Sequence, residues 1–246
     1  MAVYFIADLH LAPDTPDLLT LFTDFTGMLK SGDSLYILGD LFGYYVGTDP
    51  GNLAQTRVKK QVEMLRKQNI PVYFIHGNRD FLLTPEDAAY FGFELLPERT
   101  VITVSGKNCL LMHGDELCTA EKKYNLFRAV SRIRFLQKLF MMFTSKKRRI
   151  SIAENMREQS RLRFQGKNGV KEKINLREAL KYLRESQAEI LIHGHTHNAE
   201  AAIAPGQSIY DTGDWNGYRY SYIVADDSGK MPELIIRSSR LYRRGG

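Results

Sequence analysis

Cysteine is scarce in this chain, and long hydrophobic runs are missing. Only Cys109 and Cys118 occur among the 246 residues, and their spacing fits neither a disulfide framework nor a thiolate metal site. No apolar stretch approaches the roughly 20 residues that a transmembrane helix needs. The strand predicted near residues 2–7 leaves no room for a signal peptide before the polar residues that follow it. We therefore expect neither a disulfide-stabilised secreted protein nor a spanning membrane protein, but a cytoplasmic one.

Basic residues outnumber acidic ones by 34 to 28, which gives a formal net charge of +6. Much of the surplus lies between Arg128 and Arg149, and more follows between Arg157 and Lys167. A charge run is ordinarily a solvated helix face, but this density favours contact with a nucleic acid, a phosphorylated substrate or an anionic membrane. Aromatic residues do not alternate with the basic ones as they do in stacking proteins, so we expect no nucleic-acid partner.

The hydrophobic pattern predicts one large α/β domain with a helical insertion. Short apolar strands alternate with helices over residues 1–115, whereas residues 116–185 have an almost wholly helical pattern. The sheet then resumes, and its last three strands are expected to complete a second layer, near residues 208–212, 219–225 and 232–237. The predicted fold class is α/β, with a two-layer β-sandwich core flanked by helices. This core comprises residues 1–115 and 186–246, and residues 116–185 form an inserted helical cap or lid.

Five of the predicted strands end in residues that commonly bind metal ions. Residues just past the carboxyl ends of buried strands open toward one crevice in an α/β sheet. Any one of these endings could be a plain turn or a packed core histidine, but their repetition favours a shared site. The residues are Asp8 and His10, Asp40, Asn78, His113, and His195 with His197. His76 and His193 lie inside the strand patterns and are expected to pack or to support the site.

These residues supply two carboxylates, an amide oxygen and four imidazoles, without a thiolate. Such donors suit Mn²⁺, Fe²⁺ or Zn²⁺, whereas sites made wholly of oxygen favour Mg²⁺ or Ca²⁺. Two cations about 3.5–4 Å apart can bind phosphoryl oxygens and present a hydroxide for in-line attack. The donor set therefore predicts two divalent cations and the hydrolysis of a phosphate ester or anhydride.

The same motifs resemble those of the calcineurin-like metallophosphoesterases: D-x-H, G-D, G-N, a histidine before G-D, and G-H-x-H. The match spans residues 3–213 and fills every ligand position. The resemblance implies the fold of that superfamily, with Asp40 as a ligand shared between two metals. The remaining ligands would divide into two sets: Asp8, His10 and His197 for one metal, and Asn78, His113 and His195 for the other.

Longer stretches are similar to the UDP-2,3-diacylglucosamine hydrolases of the lipid A pathway in Gram-negative bacteria. They are residues 5–11, 36–42, 73–83, 113–119, 127–128 and 192–197. The resemblance implies attack at the α-phosphorus of UDP-2,3-diacylglucosamine, which releases UMP and 2,3-diacylglucosamine 1-phosphate. Mn²⁺ is the expected metal. The implied catalytic residues are Asp40, Asn78, Arg79 and His195.

The resemblance also implies substrate contacts, some in the core and some in the inserted segment. Arg79 distinguishes this chain from many superfamily members, which have a histidine after the Asn. A permanently charged, planar guanidinium suits a diphosphate better than an imidazole that titrates. Glu121 replaces the usual Asp and Phe164 stands near a usual Asn, which is consistent with a divergent branch of altered lipid preference. The implied substrate-binding residues are Asn78, Arg79, Glu121, Tyr124, Arg157, Ser160, Lys167 and His195.

Residues 133–143 are unusually apolar for a basic region. They predict either an amphipathic helix packed on the core or a surface that accepts acyl chains and contacts an anionic membrane. We expect peripheral association with the inner membrane. Two rival functions stay open: a phosphodiesterase or nucleotide-sugar pyrophosphatase with a soluble substrate, and a non-catalytic scaffold. The sequence leaves the oligomeric state open.

Overall fold

The computed structural model describes residues 1–118, 122–166, 173–204 and 206–239. Its strands are β1 (Ala2–Ile6), β2 (Ser34–Ile37), β3 (Val72–Phe74), β4 (Glu94–Leu95), β5 (Arg99–Val104), β6 (Lys107–Met112), β7 (Ile190–His193), β8 (Glu200–Ala204), β9 (Gln207–Asp211), β10 (Arg219–Asp226) and β11 (Glu233–Ser238). Its helices are α1 (Pro16–Thr26), α2 (Leu53–Lys67), α3 (Pro85–Phe91), α4 (Lys122–Ser131), α5 (Arg134–Phe143), α6 (Lys146–Gly166) and α7 (Leu176–Glu185). A 3₁₀ turn spans Asp115–Leu117.

Two sheets enclose part of the core between them. The six-stranded sheet has the order β11-β10-β1-β2-β3-β4, and its strands from β1 to β4 are parallel. The five-stranded sheet has the order β5-β6-β7-β9-β8, in which β6, β7 and β9 are parallel. Both sheets contribute buried apolar side chains to one cluster, among them Phe5, Ile75, Leu111 and Ile192. This arrangement confirms the predicted two-layer α/β core.

Helices cover the other faces of the sheets. Phe22 of α1 and Val58 of α2 are fully buried in the cluster that also contains residues of the six-stranded sheet. Burial of one such side chain stabilises the fold by roughly 1.5–3 kcal/mol. α7 buries Leu183 against the five-stranded sheet. The Asn175 side chain accepts a hydrogen bond from the backbone N–H of Arg177 at 3.0 Å, so Asn175 is the N-cap of α7.

Two C-terminal strands lie in a different layer from the predicted one. The prediction that residues 219–225 and 232–237 complete the second layer is wrong, because β10 and β11 extend the first sheet. β10 pairs antiparallel with β1, with Phe5 opposite Ile223. β2 pairs with only one edge of β1. The other edge would have unpaired backbone N–H and C=O groups without β10, which satisfies them. The second sheet includes β9, as predicted, and the exposed strand β8, which the sequence prediction omits.

The helices α4, α5 and α6 span residues 122–166, and we propose that they form a lid. α5 and α6 contact the core through Phe140, Met141 and Ala153, which pack against the same cluster as α1 and α2. α7 packs on the five-stranded sheet although it falls within the predicted insertion, so we propose α4–α6 as the lid proper. The boundaries of the predicted insertion stay a prediction. Within the described ranges, each helix is too short or too polar to cross a bilayer.

Candidate metal centre

The predicted metal ligands converge from both sheets. In the six-stranded sheet they follow the carboxyl ends of three parallel strands: Asp8 and His10 follow β1, Asp40 follows β2 and Asn78 follows β3. In the five-stranded sheet, His113 follows β6, and His195 and His197 follow β7. Parallel strands end at one edge of a sheet, and stacking of the two sheets brings the two edges together. The structure thus places all these side chains in one region.

Asp8, His10 and His197 form one side of this centre. Each offers a ligand atom, and these atoms lie within 4.8 Å of one another. His197 Nε2 lies 3.3 Å from Asp8 Oδ1 and 3.3 Å from His10 Nε2. Asp8 is fully buried. Its carboxylate therefore faces imidazole nitrogens in place of water.

Asn78, His113 and His195 form the other side. Asn78 Oδ1 lies 2.9 Å from His113 Nε2 and 2.9 Å from His195 Nδ1. The other ring nitrogen of His113, Nδ1, lies 2.8 Å from the carbonyl oxygen of Leu38. Such a contact fixes the ring of a metal-binding histidine and directs its free nitrogen inward. The His113 ring is therefore oriented before any ligand binds.

Asp40 lies between the two sides. Its Oδ1 is 3.7 Å from His113 Nε2, and its Oδ2 is 3.9 Å from His10 Nδ1. The backbone N–H of Arg79 donates to Oδ1 at 2.8 Å, and the Arg79 Nε lies 3.4 Å from Oδ2. One carboxylate oxygen thus faces each side, as a bridging ligand requires.

Five of these residues have a left-handed backbone conformation, which non-glycine residues rarely adopt. Their φ angles are 56° for Asp8, 51° for His10, 52° for Asp40, 70° for His195 and 61° for His197. Such strain costs about 1–3 kcal/mol per residue and persists only where surrounding contacts hold it. One such contact is the His10 N–H, which donates to the Asp40 carbonyl at 3.0 Å. The strain is concentrated on the residues that would bind metal.

Two glycines let the loops approach one another without side chains between them. A Cβ atom at Gly77 would lie 2.2 Å from the backbone nitrogen of Asp40. A Cβ atom at Gly194 would lie 2.5 Å from Asp8 Oδ2. Any other residue would force the ligand loops apart, so these two positions require glycine.

Asp80 joins the ligand loops, a role that the sequence motif does not reveal. It is fully buried and accepts hydrogen bonds from the backbone N–H groups of Asp40 (3.3 Å), Leu41 (2.8 Å) and Gly77 (2.8 Å). Burial and the nearby Asp40 carboxylate raise the pKa of Asp80 to about 6. The available signal in the sequence is an acidic residue directly before the apolar run 81–83.

Burial keeps some of the imidazoles neutral. It lowers the pKa of His195 to about 3 and the pKa of His10 well below its ordinary value. Burial by itself also lowers the pKa of His113 and of His197, but the neighbouring carboxylates outweigh it and raise both. A neutral imidazole has the free lone pair that metal binding needs.

The donor set fits divalent cations. His10 Nδ1 is buried and makes no hydrogen bond to any described residue. A second group of ligand atoms, from Asp8, Asp40 and His113, also lies within 4.8 Å. Buried carboxylates and imidazole lone pairs that converge in this way are stabilised by cations. The two overlapping groups therefore suit two neighbouring metal ions.

Several predicted lid contacts fall outside what the structure describes. Glu121 and Lys167 are outside the described residues. Tyr124 lies in α4 and Phe164 lies in α6, and both side chains are outside the described set. The substrate roles implied for Glu121, Tyr124 and Lys167 stay predictions, as does the effect of Phe164 on lipid preference.

A cavity of about 1050 Å³ lies between the lid and the core. Asn78 and Arg79 line it beside the metal ligands, and Arg157 and Ser160 line it on α6. Arg157 Nη1 lies 3.7 Å from Asp14 Oδ2 on the core. The rest of the lining is mostly apolar and includes Tyr44, Tyr45, Val46, Phe81, Leu82, Phe127, Val130, Leu136, Phe140, Ile152, Ala153 and Met156.

Comparison with known proteins agrees with the motifs. The model of the calcineurin-like phosphoesterase family matches residues 1–199. The UDP-2,3-diacylglucosamine hydrolase of Actinobacillus succinogenes is 41% identical over 214 residues, or 86% of this chain and 91% of that protein. Proteins of the same name from Haemophilus influenzae and Neisseria gonorrhoeae are each 36% identical to this chain. Each match covers 93% of this chain, and it covers 96% of the Haemophilus protein and 95% of the Neisseria protein. The chain therefore belongs to the calcineurin-like phosphoesterase family, among its relatives named UDP-2,3-diacylglucosamine hydrolase, as the motifs predict.

Proposed function

We propose that this protein hydrolyses the pyrophosphate of UDP-2,3-diacylglucosamine. Water would attack the α-phosphorus, and the products would be UMP and 2,3-diacylglucosamine 1-phosphate of the lipid A pathway. The family supports a metal-dependent hydrolase, and the names of the relatives support the substrate.

The cavity under the lid is the observation that carries the substrate class. Pockets for drug-sized ligands range from about 300 to 1,000 Å³. This cavity, of about 1050 Å³, lies at the upper end of that range, and its lining is mainly apolar. Acyl chains would bury their surface in such a lining, whereas a soluble nucleotide sugar has no matching apolar part. Arg79 and Asn78 line the same cavity. A substrate with its acyl chains in this cavity would therefore have its diphosphate beside the metal ligands.

The residues at the metals are part of this proposal. We infer Mn²⁺, because mixed carboxylate, amide and imidazole donors suit it. When bound, the cations would lower the pKa of a bound water and neutralise charge on the phosphoryl oxygens. Asp40 would be shared by both cations. The other ligands would be Asp8, His10 and His197 for one cation, and Asn78, His113 and His195 for the other.

Arg79 is suited to stabilise the charge that develops on the diphosphate. Its Nη1 lies 3.4 Å from the Gly43 carbonyl, and its Nε contacts Asp40, so the guanidinium is held at the cavity wall. A guanidinium can donate two parallel hydrogen bonds to phosphate oxygens. Asn78 directly precedes Arg79, and its Oδ1 lies 2.9 Å from His195 Nδ1, so Asn78 and His195 would contact the same phosphate. The apolar lid would exclude bulk water from the acyl side.

The outer surface of the lid supports association with the inner membrane at its cytoplasmic face. Phe135, Met142 and Phe143 of α5 are 66%, 68% and 76% exposed. Lys147 and Arg148 follow in the next helix and are also exposed. Exposed apolar residues beside basic ones are typical of helices that lie at an anionic membrane surface. In this proposal the lid takes its lipid substrate directly from the bilayer.

The test uses purified protein, Mn²⁺ and a panel of substrates in ¹⁸O-labelled water. UDP-2,3-diacylglucosamine should yield UMP and the lipid phosphate, with the label in UMP, because attack is at the α-phosphorus. UDP-glucosamine without acyl chains should react far more slowly. Comparable rates on the two substrates would favour the soluble-substrate rival. No hydrolysis of any phosphodiester or pyrophosphate would favour the scaffold.

A further inference from the structure

Two arginines at the carboxyl end of the lid helix α4 contact acidic residues of the core: Arg128 lies in the helix, and Arg132 follows its last residue directly. Arg128 Nε lies 2.7 Å from Asp115 Oδ2, and Arg128 Nη2 lies 2.7 Å from Glu98 Oε2. Asp115 is buried and comes two residues after the predicted ligand His113. These contacts join the lid to the turn that follows β6.

Arg132 lies one helical turn after Arg128 and reaches two ligand loops. Its Nη1 lies 3.0 Å from Glu98 Oε1, and its Nη2 lies 3.6 Å from Asp115 Oδ2. The same Nη2 donates a hydrogen bond to the carbonyl oxygen of Gly77 at 2.9 Å. Gly77 directly precedes Asn78, so one guanidinium contacts the loops that carry Asn78 and His113.

The burial of this network gives it more influence than a surface ion pair. The side chains of Arg132 and Asp115 are 13% and 2% exposed. Surface pairs contribute little because water and salt screen them, whereas charge-assisted hydrogen bonds in a partly dry site are stronger. The guanidinium of Arg132 faces the carboxylates of Glu98 and Asp115 and donates one hydrogen bond, to the Gly77 carbonyl. It is therefore unlike Arg79, which lines the cavity.

The neighbouring face of α4 lines the cavity. Phe127, Val130 and Ser131 belong to its wall, whereas Arg128 and Arg132 hold the helix to the core. A shift of α4 to admit a ligand would therefore pull on the loops of Asn78 and His113.

We propose that Arg132, supported by Arg128, is a positioning residue that couples the lid helix α4 to the Asn78–His113 side of the metal centre. In this way an ordered lid and a correctly placed pair of metal ligands depend on each other. The inference deepens the proposed function and rests on it for the identity of the cavity's ligand. The coupling itself rests on the contacts of Arg132.

The test compares Arg132→Gln, Arg132→Lys and the control Arg134→Gln, which removes the same charge from an exposed position on α5. Mn²⁺ affinity is measured by calorimetry, well below the melting temperature of each variant. Hydrogen exchange is followed in peptides that cover residues 74–82, 109–118 and α4. Loss of a residue that supports metal ligands typically costs about 10–100-fold in metal affinity or activity. We expect a loss of this size in Mn²⁺ affinity and in kcat for Arg132→Gln, with faster exchange in all three peptides.

Arg132→Lys should recover part of the Mn²⁺ affinity, because it keeps the charge but not the planar fork. Arg134→Gln should behave as wild type. Unchanged Mn²⁺ affinity and exchange at residues 74–82 in Arg132→Gln would overturn the coupling, even if the melting temperature falls. If Arg132→Gln does not fold, Glu98→Gln removes a charged partner of the same guanidinium. Mn²⁺ affinity and hydrogen exchange of that variant then test the coupling. Failure of wild type to hydrolyse UDP-2,3-diacylglucosamine would reject the proposed function, but the metal-affinity and exchange data would still decide the coupling.

Discussion

Replacement of Asp80 by alanine tests whether one buried carboxylate holds the ligand loops together. The variant leaves three backbone N–H groups, of Asp40, Leu41 and Gly77, without their acceptor. Each unsatisfied buried donor costs about 1–3 kcal/mol. Burial raises the pKa of Asp80, so removal of the carboxylate also relieves a desolvation cost, and the low end of the range applies. We therefore expect the free energy of unfolding to fall by about 3 kcal/mol.

The assay is equilibrium urea unfolding and thermal melting of chelator-treated protein, so that bound metal does not mask the change. A loss of about 3 kcal/mol corresponds to a melting temperature lower by roughly 6–12 °C for a chain of this size. Asp80→Asn preserves the shape and one oxygen, so it should lose less than Asp80→Ala. The matched control is Asp24→Ala on the exposed side of α1, which should change stability by less than about 0.5 kcal/mol.

This prediction would be wrong if Asp80→Ala lost less than about 1 kcal/mol, which is below the cost of one unsatisfied donor. It would also fail if Asp24→Ala were equally destabilising. A stable Asp80→Ala variant would mean that water or a neighbouring group replaces the carboxylate. The loops of Asp40 and Asn78 would then be held by other contacts.

Four further predictions concern the site, the metals, the cavity and the membrane. Asp40→Ala and His113→Ala should each abolish hydrolysis of UDP-2,3-diacylglucosamine while circular dichroism shows a folded protein; near-normal turnover in either would reject the ligand assignment. Removal of metal by a chelator should lower the melting temperature, measured by differential scanning calorimetry. Mn²⁺ at 100 times its Kd should raise the free energy of unfolding by about 2.7 kcal/mol, and no shift would argue against metal binding. Ala153→Trp should fill part of the cavity and raise KM for the diacyl substrate at least about tenfold, because apolar surface of the acyl chains loses its burial. It should leave hydrolysis of a short soluble phosphodiester unchanged, and equal effects on both substrates would contradict an acyl cavity. Phe143→Ser should weaken sedimentation with anionic vesicles by roughly tenfold, since an inserted aromatic side chain contributes about 1.5–3 kcal/mol; unchanged binding would place the membrane contact elsewhere.

Local patterns in the sequence were enough to predict the identity of the candidate ligands. Asp8, Asp40, Asn78 and His113 each follow a short apolar run, and the carboxyl ends of parallel strands lie at one edge of a sheet. Whether a polar residue directly follows a strand can be read from a few neighbouring residues of the chain. Helix capping by Asn175 is also a local property, since it is decided within a few residues of the chain.

The tertiary structure alone decided which strands pair and what holds the site in place. The pairing of β10 with β1 joins residues more than two hundred positions apart, so local periodicity cannot choose between the two sheets. The left-handed conformation of Asp40 persists because loops from distant parts of the chain pack around it. Asp80 and Arg132 have ordinary sequence surroundings, and their roles come from backbone groups that only the folded chain brings within hydrogen-bond distance. The identity of the candidate ligands is thus encoded locally. The backbone strain and the hydrogen bonds that orient these ligands depend on contacts between distant parts of the chain.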